Sequence, residues 1–343
     1  LLKDGGILFI IVPAGYVGNS NRVYIEMRDL ILAHRLIASI ALPENTFKRS
    51  GTGVNTYLLV VQKIEAAAPP DYPILLHNVE NIGYNLTKRD TPPKYKIIRT
   101  TGAPLLTAGG EPVRDNDLEN LAVAVRQFAR DHSVAGMVAA PADGLAAQYE
   151  SINKTALCQN IIDIKRYMRD YLDIHDRLCA TGAVPVRTLC AVVSGNTKIV
   201  GTQQYKYIDI GEINSPLHGH KLLYGWELPS RAKYALKKYD ILVSKLEGTM
   251  SYCAILDSSD NYIATSGVCV LRPHDVESMH ILFANIMGPN FRAQHRAHVT
   301  GSIMASLSDD DISEFLVSIQ DIDLGVAQKI LSTLETLQQL QAN

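Results

Sequence analysis

LLKDGGILFIIVPAGYV, residues 1–17, decides how the rest of the chain is read. An Asp4-Gly5-Gly6 turn leads into six apolar residues, Ile7 to Val12, closed by Pro13. Asp-Gly is a turn signal, and a short apolar run bounded by Gly and Pro is the pattern of a strand buried on both faces. Such a strand belongs inside a sheet, with a neighbour on each side. The stretch carries no Met, polar tail or signal peptide, so the remainder of its sheet is expected upstream of Leu1.

Outward from it the order is strand, helix, strand, loop, strand. Asn19-Ser20 can cap a helix over Asn21 to His34, whose apolar positions Val23, Met27, Leu30 and Ile31 recur at three- and four-residue spacing. LIASIAL (Leu36 to Leu42) predicts a second strand, PENTFKRSGTG (43–53) a loop, and VNTYLLVVQ (Val54 to Gln62) a third strand. This alternation is the end of an α/β sheet. Residues 64–116, rich in Pro and Gly without a sustained period, predict an extended arm. Asp117 to Asp131 predicts a helix with Leu118, Leu121, Val125 and Phe128 on its apolar face. Asn160 to Thr181 predicts a further helix, charged in both signs, that reads as a solvated connector. From Val184 short runs such as LCAVVSG, YKYIDIG and DILVSKLEG predict a mostly β second domain. Gly325 to Gln341 predicts a last helix with Ile330, Leu331, Leu334, Leu337 and Leu340 on one stripe.

Composition bounds the function. At 343 residues the chain is long enough for two domains, and 47% hydrophobic with 20% charged residues is ordinary for a globular protein. No apolar run approaches the roughly 18 residues that a membrane helix needs, so no membrane partner is expected. The five cysteines form no CxxC pair and have no His at zinc-ligand spacing. Scattered and odd in number, they fit reduced thiols in a cytoplasm, with no metal site. A net charge of -2 advertises no polyanionic partner, so any nucleic-acid surface must come from local clustering.

The first segment, then a helix, then IALPENTFKRSGTGVNTYLLVVQK, resembles the closing strands of the N6-adenine DNA methylases of type I and fused single-chain restriction-modification systems. VENIGYNLTKRD followed by RDNDLENL resembles the segment after that sheet, so the resemblance covers about residues 1–130. It implies the truncated α/β end of a Rossmann-like methyltransferase sheet. S-adenosylmethionine in that family sits on a Gly-rich loop and the target amine beside an Asn-Pro-Pro-aromatic motif; both are expected upstream of Leu1. APPDY (Ala68 to Tyr72) and TPPKY (Thr91 to Tyr95) lack the leading Asn or Asp and read as turns. The chain is therefore expected to bind no S-adenosylmethionine, the cofactor of its full-length parent, and to be inactive alone as an adenine-specific DNA methyltransferase. Phe47 stands where the family stacks an aromatic on the flipped base; the other reading is a Phe plugging the sheet end. Lys48 and Arg49 would suit a nearby phosphate or be a solvated pair.

Residues 184–322 resemble the target recognition domain of type I specificity subunits, through VRTLCAVVSGNT, YKYIDIGEIN, LKKYDILVSKLEG, ATSGVCVLRP and TGSIMASLSDDDISEFLVSI. The fold class implied is an α+β, β-rich domain with long helices. The domains would be 1–140 (methyltransferase end), 141–183 (helical connector), 184–322 (recognition domain) and 323–343 (a coiled helix). Such a domain reads base edges in double-stranded DNA from loops anchored on phosphates. Arg231, Lys233, Lys237 and Lys238 form one basic cluster; Arg292, His295, Arg296 and His298 form a second. Asn196, Thr197, Lys198 and Lys245 are loop-placed groups within reach of a base, and Gly301-Ser302 is expected to have a backbone role. For any one of these residues taken alone, a solvated helix face or a plain turn is the better reading. Residues 186–320 hold 12 Lys and Arg against 13 Asp and Glu, which predicts weak binding by the domain alone. Two functions compete: part of an adenine-N6 methyltransferase that selects its DNA site, and a non-catalytic specificity subunit beside separate methylase or restriction subunits. A nuclease reading has only the acid and lysine of DILVSK.

Overall fold

In the computed structural model the described residues are 2–65, 68–86, 91–134, 136–137, 149–246, 248, 250–257, 260–299, 301, 306–320 and 322–342, without the side chains of 49, 341 and 342. The chain divides into two compact units, Leu1–Tyr167 and Met168–Val299 with Met304–Asn343.

Unit 1 is built on strands β1 (Ile7–Pro13), β2 (Arg35–Ala41), β3 (Thr56–Gln62), β4 (Pro73–Asn78) and β5 (Glu150–Asn153), in the order β1-β3-β2-β4-β5. β3 runs antiparallel between β1 and β2, β4 parallel to β2, and β5 antiparallel to β4. Successive side chains of a strand point to opposite faces, and here both faces are apolar. Leu36, Leu59 and Ile74 pack with Val17 of the single turn α1 (Gly15–Gly18), Leu32 of α2 (Arg22–Ala33) and Ile162. Ile37, Val60 and Leu75 pack under Leu121 and Phe128 of α3 (Leu118–Asp131). Two polar bonds cross this interior: Ser39 Oγ donates to the Ile162 carbonyl at 2.7 Å, and the Tyr57 hydroxyl to Asp163 Oδ1 at 2.6 Å.

Several expectations are corrected here. Within this chain β1 pairs, among the described residues, with β3 alone and exposes Leu8, Phe9, Ile10 and Ile11, Phe9 by 60%. An apolar run fixes a preference for burial without naming what covers it. In α2 the apolar stripe turns outward, with Val23, Met27 and Leu30 exposed, while Leu32 and Arg28 (1% exposed) face in. Arg28 is tolerated because its Nη1 donates to the carbonyls of Tyr16 (3.3 Å) and Asn19 (2.9 Å), tying down the turn that leads into the helix. The helix expected over Asn160 to Thr181 is interrupted: Ile164–Tyr167 is a 3-10 turn and α4 starts at Arg169, ending at Ala180. β4, inside the stretch read as an arm, supplies the parallel partner of β2. Of the residues read as a helical connector, 141–148 lie outside the described residues, β5 belongs to unit 1, and α4 opens unit 2.

Unit 2 holds β6 (Val184–Pro185), β7 (Cys190–Val192), β8 (Gln204–Ile208), β9 (Ile213–Asn214), β10 (Leu217–His218), β11 (Lys221–Tyr224), β12 (Ala232–Ala235), β13 (Ile241–Ser244), β14 (Tyr252–Ala254), β15 (Tyr262–Thr265), β16 (Val268–Pro273) and β17 (Leu316–Val317). β11-β8-β15-β12 form one sheet and β14-β13-β16-β7 a second; β9 pairs with β10 and β6 with β17. The two larger sheets meet through Ile208, Tyr234, Tyr262, Leu242 and Val270. The far face of the second sheet is covered by helices α5 (Val276–Met287), α6 (Pro289–His298) and α8 (Leu324–Ala342), through Phe283, Phe291 and Leu331. The single turn α7 (Asp309–Ser313) is fixed by a reciprocal bond between Ser308 and Asp311. Only half of the α8 stripe is used: Leu331 and Leu334 are buried, Leu337 and Leu340 exposed. Among the described residues no helix is long and apolar enough to cross a membrane.

Candidate nucleic-acid interface

The outer face of the β11-β8-β15-β12 sheet is crossed by the loop of residues 194–203, which packs Ile199 onto Tyr205 and Tyr207. Two bonds stitch this loop to β12: Thr197 N donates to the Lys233 carbonyl (2.9 Å), and Ala235 N donates to Thr197 Oγ1 (2.8 Å). Asn196 and Lys198, both exposed, are thereby held beside Lys233, whose Nζ lies 4.9 Å from the Tyr234 ring centroid. Three consecutive residues and Lys233, 35 residues further on, become one polar ledge with two cations.

The other end of the loop meets an aromatic pair that the sequence reading missed. Gly225 N donates to the Gln203 carbonyl at 2.9 Å, and a Cβ at Gly225 would sit 2.2 Å from the Val200 carbonyl oxygen, so only glycine permits this approach. Trp226 follows, 63% exposed and stacked on Tyr224 with centroids 4.7 Å apart and planes 9° apart. The signal was present: this is the chain's single tryptophan, in a Tyr-Gly-Trp turn.

The remaining expected residues scatter. Arg231 pairs with Asp209. Lys237 is exposed, but Lys238 reaches Glu335 of α8 at 2.9 Å. Lys245 is only 15% exposed and pairs with Asp309 at 3.2 Å. The second basic cluster splits. Arg292 and Arg296 share the exposed face of α6, on the layer opposite the loop, whereas His295 is buried with Nε2 2.9 Å from the Ser244 carbonyl. Burial lowers the His295 pKa, and a carbonyl can only accept, so the neutral ring donates to it. His298 lies 2.8 Å from the Tyr171 hydroxyl. Both imidazoles are structural. Gly301 adopts φ +149°, and Ser302 lies outside the described residues.

In unit 1, Phe47 precedes the 3-10 turn Lys48–Ser50. It is half-buried. Lys48 is half-buried; the Arg49 side chain lies outside the described residues. The two Pro-Pro stretches hold no catalytic aromatic. The Tyr72 hydroxyl is buried between the Leu36 N–H (3.2 Å) and the His34 carbonyl (3.0 Å), and Tyr95 lies under the Arg114 guanidinium. These residues do not fit S-adenosylmethionine or a target amine. The nuclease reading loses its groups as well: Asp240 is 0% exposed and takes two bonds from Arg272 (2.8 and 2.7 Å), and Lys245 is ion-paired. Among the described residues no group of three His, Cys, Asp or Glu is placed to hold a metal.

No family model and no curated protein matches the chain. Among solved structures, the HsdS subunit of Thermoanaerobacter tengcongensis is similar over 45% of this chain and 41% of that one, at 18% identity and TM-score 0.37. The type I restriction-modification S subunit of M. genitalium is similar over 44% and 37%, at 13% identity and TM-score 0.30. The type IIG restriction endonuclease BpuSI is similar over 97% of this chain and 42% of that one, at 9% identity and TM-score 0.38. The chain thus spans less than half the length of each.

Proposed function

We propose that this chain serves a restriction-modification system acting on adenine N6, and that residues 184–322 select its site in double-stranded DNA. The observation that carries the reading is the ledge of Asn196, Thr197, Lys198 and Lys233, assembled on a rigid sheet by the two loop-to-β12 bonds. A lysine there anchors on phosphate, which positions without specifying, and an asparagine can pair with an adenine edge, which specifies. Support for a methylase end in unit 1 comes from the open apolar edge of β1 and from Phe47, half-buried at the loop after β2 and of a type that stacks on an extruded base. Lys48, Arg49, Lys237, Arg292 and Arg296 remain proposed phosphate contacts; Arg231, Lys238 and Lys245 are committed to ion pairs.

The second reading is a non-catalytic specificity subunit working with separate methylase or restriction subunits in the cytoplasm. It is favoured by the commitment of Tyr72 to the core and Tyr95 to a surface ion–ring contact, which takes both Pro-Pro tyrosines out of a catalytic role.

Selection of a random duplex library on the chain at two salt concentrations tests both. An enriched motif containing an adenine is expected. Asn196→Ala should relax one position of it, by about 1–3 kcal/mol. Lys198→Ala and Lys233→Ala should weaken all sequences alike and each lower the salt slope by about 1. Loss of DNA retention even at low salt would overturn the reading.

A further inference from the structure

Beyond β4 the chain leaves the sheet as an arm that makes its own architecture. Its legs, 94–98, 103–107 and 111–115, each pair with the other two: Lys96 N donates to the Val113 carbonyl (2.9 Å), Leu105 N to that of Lys96 (2.7 Å), and Val113 N to that of Leu105 (2.8 Å). Gly102 (φ +70°) and Gly110 (φ +82°) make the turns. At the base the Arg114 guanidinium lies 4.8 Å from the Tyr84 ring centroid and 5.6 Å from that of Tyr95. The arm is thus held by its own backbone bonds and needs no sheet or helix beneath it.

Its surface is what a free-standing arm should not have. Every residue from 96 to 112 is exposed, including Ile97 (62%), Ile98, Leu105 and Leu106. Exposed apolar groups gathered at one place mark a contact surface. The surrounding charge says of what kind. Residues 91–115 hold four cations (Lys94, Lys96, Arg99 and Arg114) against two anions (Glu111 and Asp115), in a chain of net charge -2. Lys94 is spent on Asp115 at 3.1 Å, but Lys96 and Arg99 pair with no described acid.

We propose that this arm is a second DNA contact, an apolar wedge for the minor groove, with Lys96 and Arg99 on the flanking phosphates. The choice of partner rests on the DNA-site reading above, but the residues are separate from that ledge. Aliphatic wedges beside cations are how proteins unstack and bend a duplex from the minor groove. Three legs spaced about 4.8 Å apart are too thick to enter a groove about 6 Å wide. Only side chains reach in, one of Ile97 and Ile98 and one of Leu105 and Leu106, because neighbours on a leg point to opposite sides.

The experiment uses the full chain and a mixed-sequence duplex labelled at both ends, read by anisotropy for affinity and by end-to-end energy transfer for bending. I97S/I98S/L105S/L106S, which touches no described core, should unfold at the wild-type urea midpoint, abolish the bend and weaken binding about tenfold. K96A/R99A should keep the bend and lower the salt slope by about 2. Both should select the wild-type motif. Arm-dependent binding without any motif sinks the ledge reading and keeps this one. A wild-type motif with binding and bending unchanged in both variants overturns the wedge. So does a quadruple variant whose only change is reduced self-association, the result of an arm that docks on protein. No DNA retention by the wild-type chain sinks both.

Discussion

At one edge of the unit 1 sheet β5 runs for four residues, Glu150 to Asn153, and Asp71 closes it, accepting bonds from Asn153 Nδ2 (3.0 Å), Thr155 N (3.1 Å) and Thr155 Oγ1 (2.9 Å). At the other edge β1 runs for seven, uncharged, with four consecutive apolar side chains exposed. Short length, charge and side-chain closure are how sheet edges avoid pairing with another strand. β5 has all three and β1 has none. Between them β3, less apolar than β1 (it carries Thr56 and Gln62) and bonded to it along its whole length, is buried. The difference lies in coverage and not in composition, and it marks β1 as an edge fit to be continued.

The contrast can be broken most sharply inside the sheet. Leu59→Ala on β3 removes a fully buried side chain and should lower stability by about 2–5 kcal/mol. Phe9→Ala on β1, at a side chain 60% exposed, should stay within about 0.5 kcal/mol. Urea midpoints measure both, and equal losses would mean that β1 is covered in solution. Next, Tyr57→Phe withdraws the hydroxyl donor from Asp163, which is 2% exposed, and should lower stability by about 1–3 kcal/mol by the same assay.

A smaller effect tests the open edge itself. Ile10→Lys should leave the midpoint unchanged within about 0.5 kcal/mol and reduce concentration-dependent association in sedimentation velocity. Undiminished association would move the contact away from β1.

Least of all, Asp71→Asn should loosen the β5 edge in a pH-dependent way. The Thr155 backbone N–H is the main influence holding the Asp71 carboxyl below its usual value. Its contribution is therefore present above the unfolded-state value, about pH 4, and lost as pH falls through the lower folded-state value. Hydrogen exchange at Asn153 and Thr155 should be faster in the variant at pH 7 and converge with wild type in acid.

How much of this was legible depends on whether a feature is local. The second and third strands and the helix ending at Asp131 were readable from apolar periodicity and turn residues. The outward stripe of α2 was not, because Arg28 is accepted by carbonyls of a turn that only the folded chain forms. β4 was hidden among prolines, although PILLHN carries a strand pattern once β2 is beside it. In the candidate site, Lys238 and Lys245 looked as free as Lys198 and Lys233. Their acids, Glu335 and Asp309, lie 97 and 64 residues away.

The sequence by itself determined the α/β-then-β order of elements, the turns that need glycine and the absence of any long apolar run. These follow from side-chain size, backbone freedom and charge, which each residue carries with it. Tertiary structure alone decided that Asn196, Lys198 and Lys233 share a ledge, that His295 is a core group and that β1 is an edge. Each depends on what lies across a sheet or against a loop, and hydrogen bonds and burial are properties of pairs that the linear order leaves open.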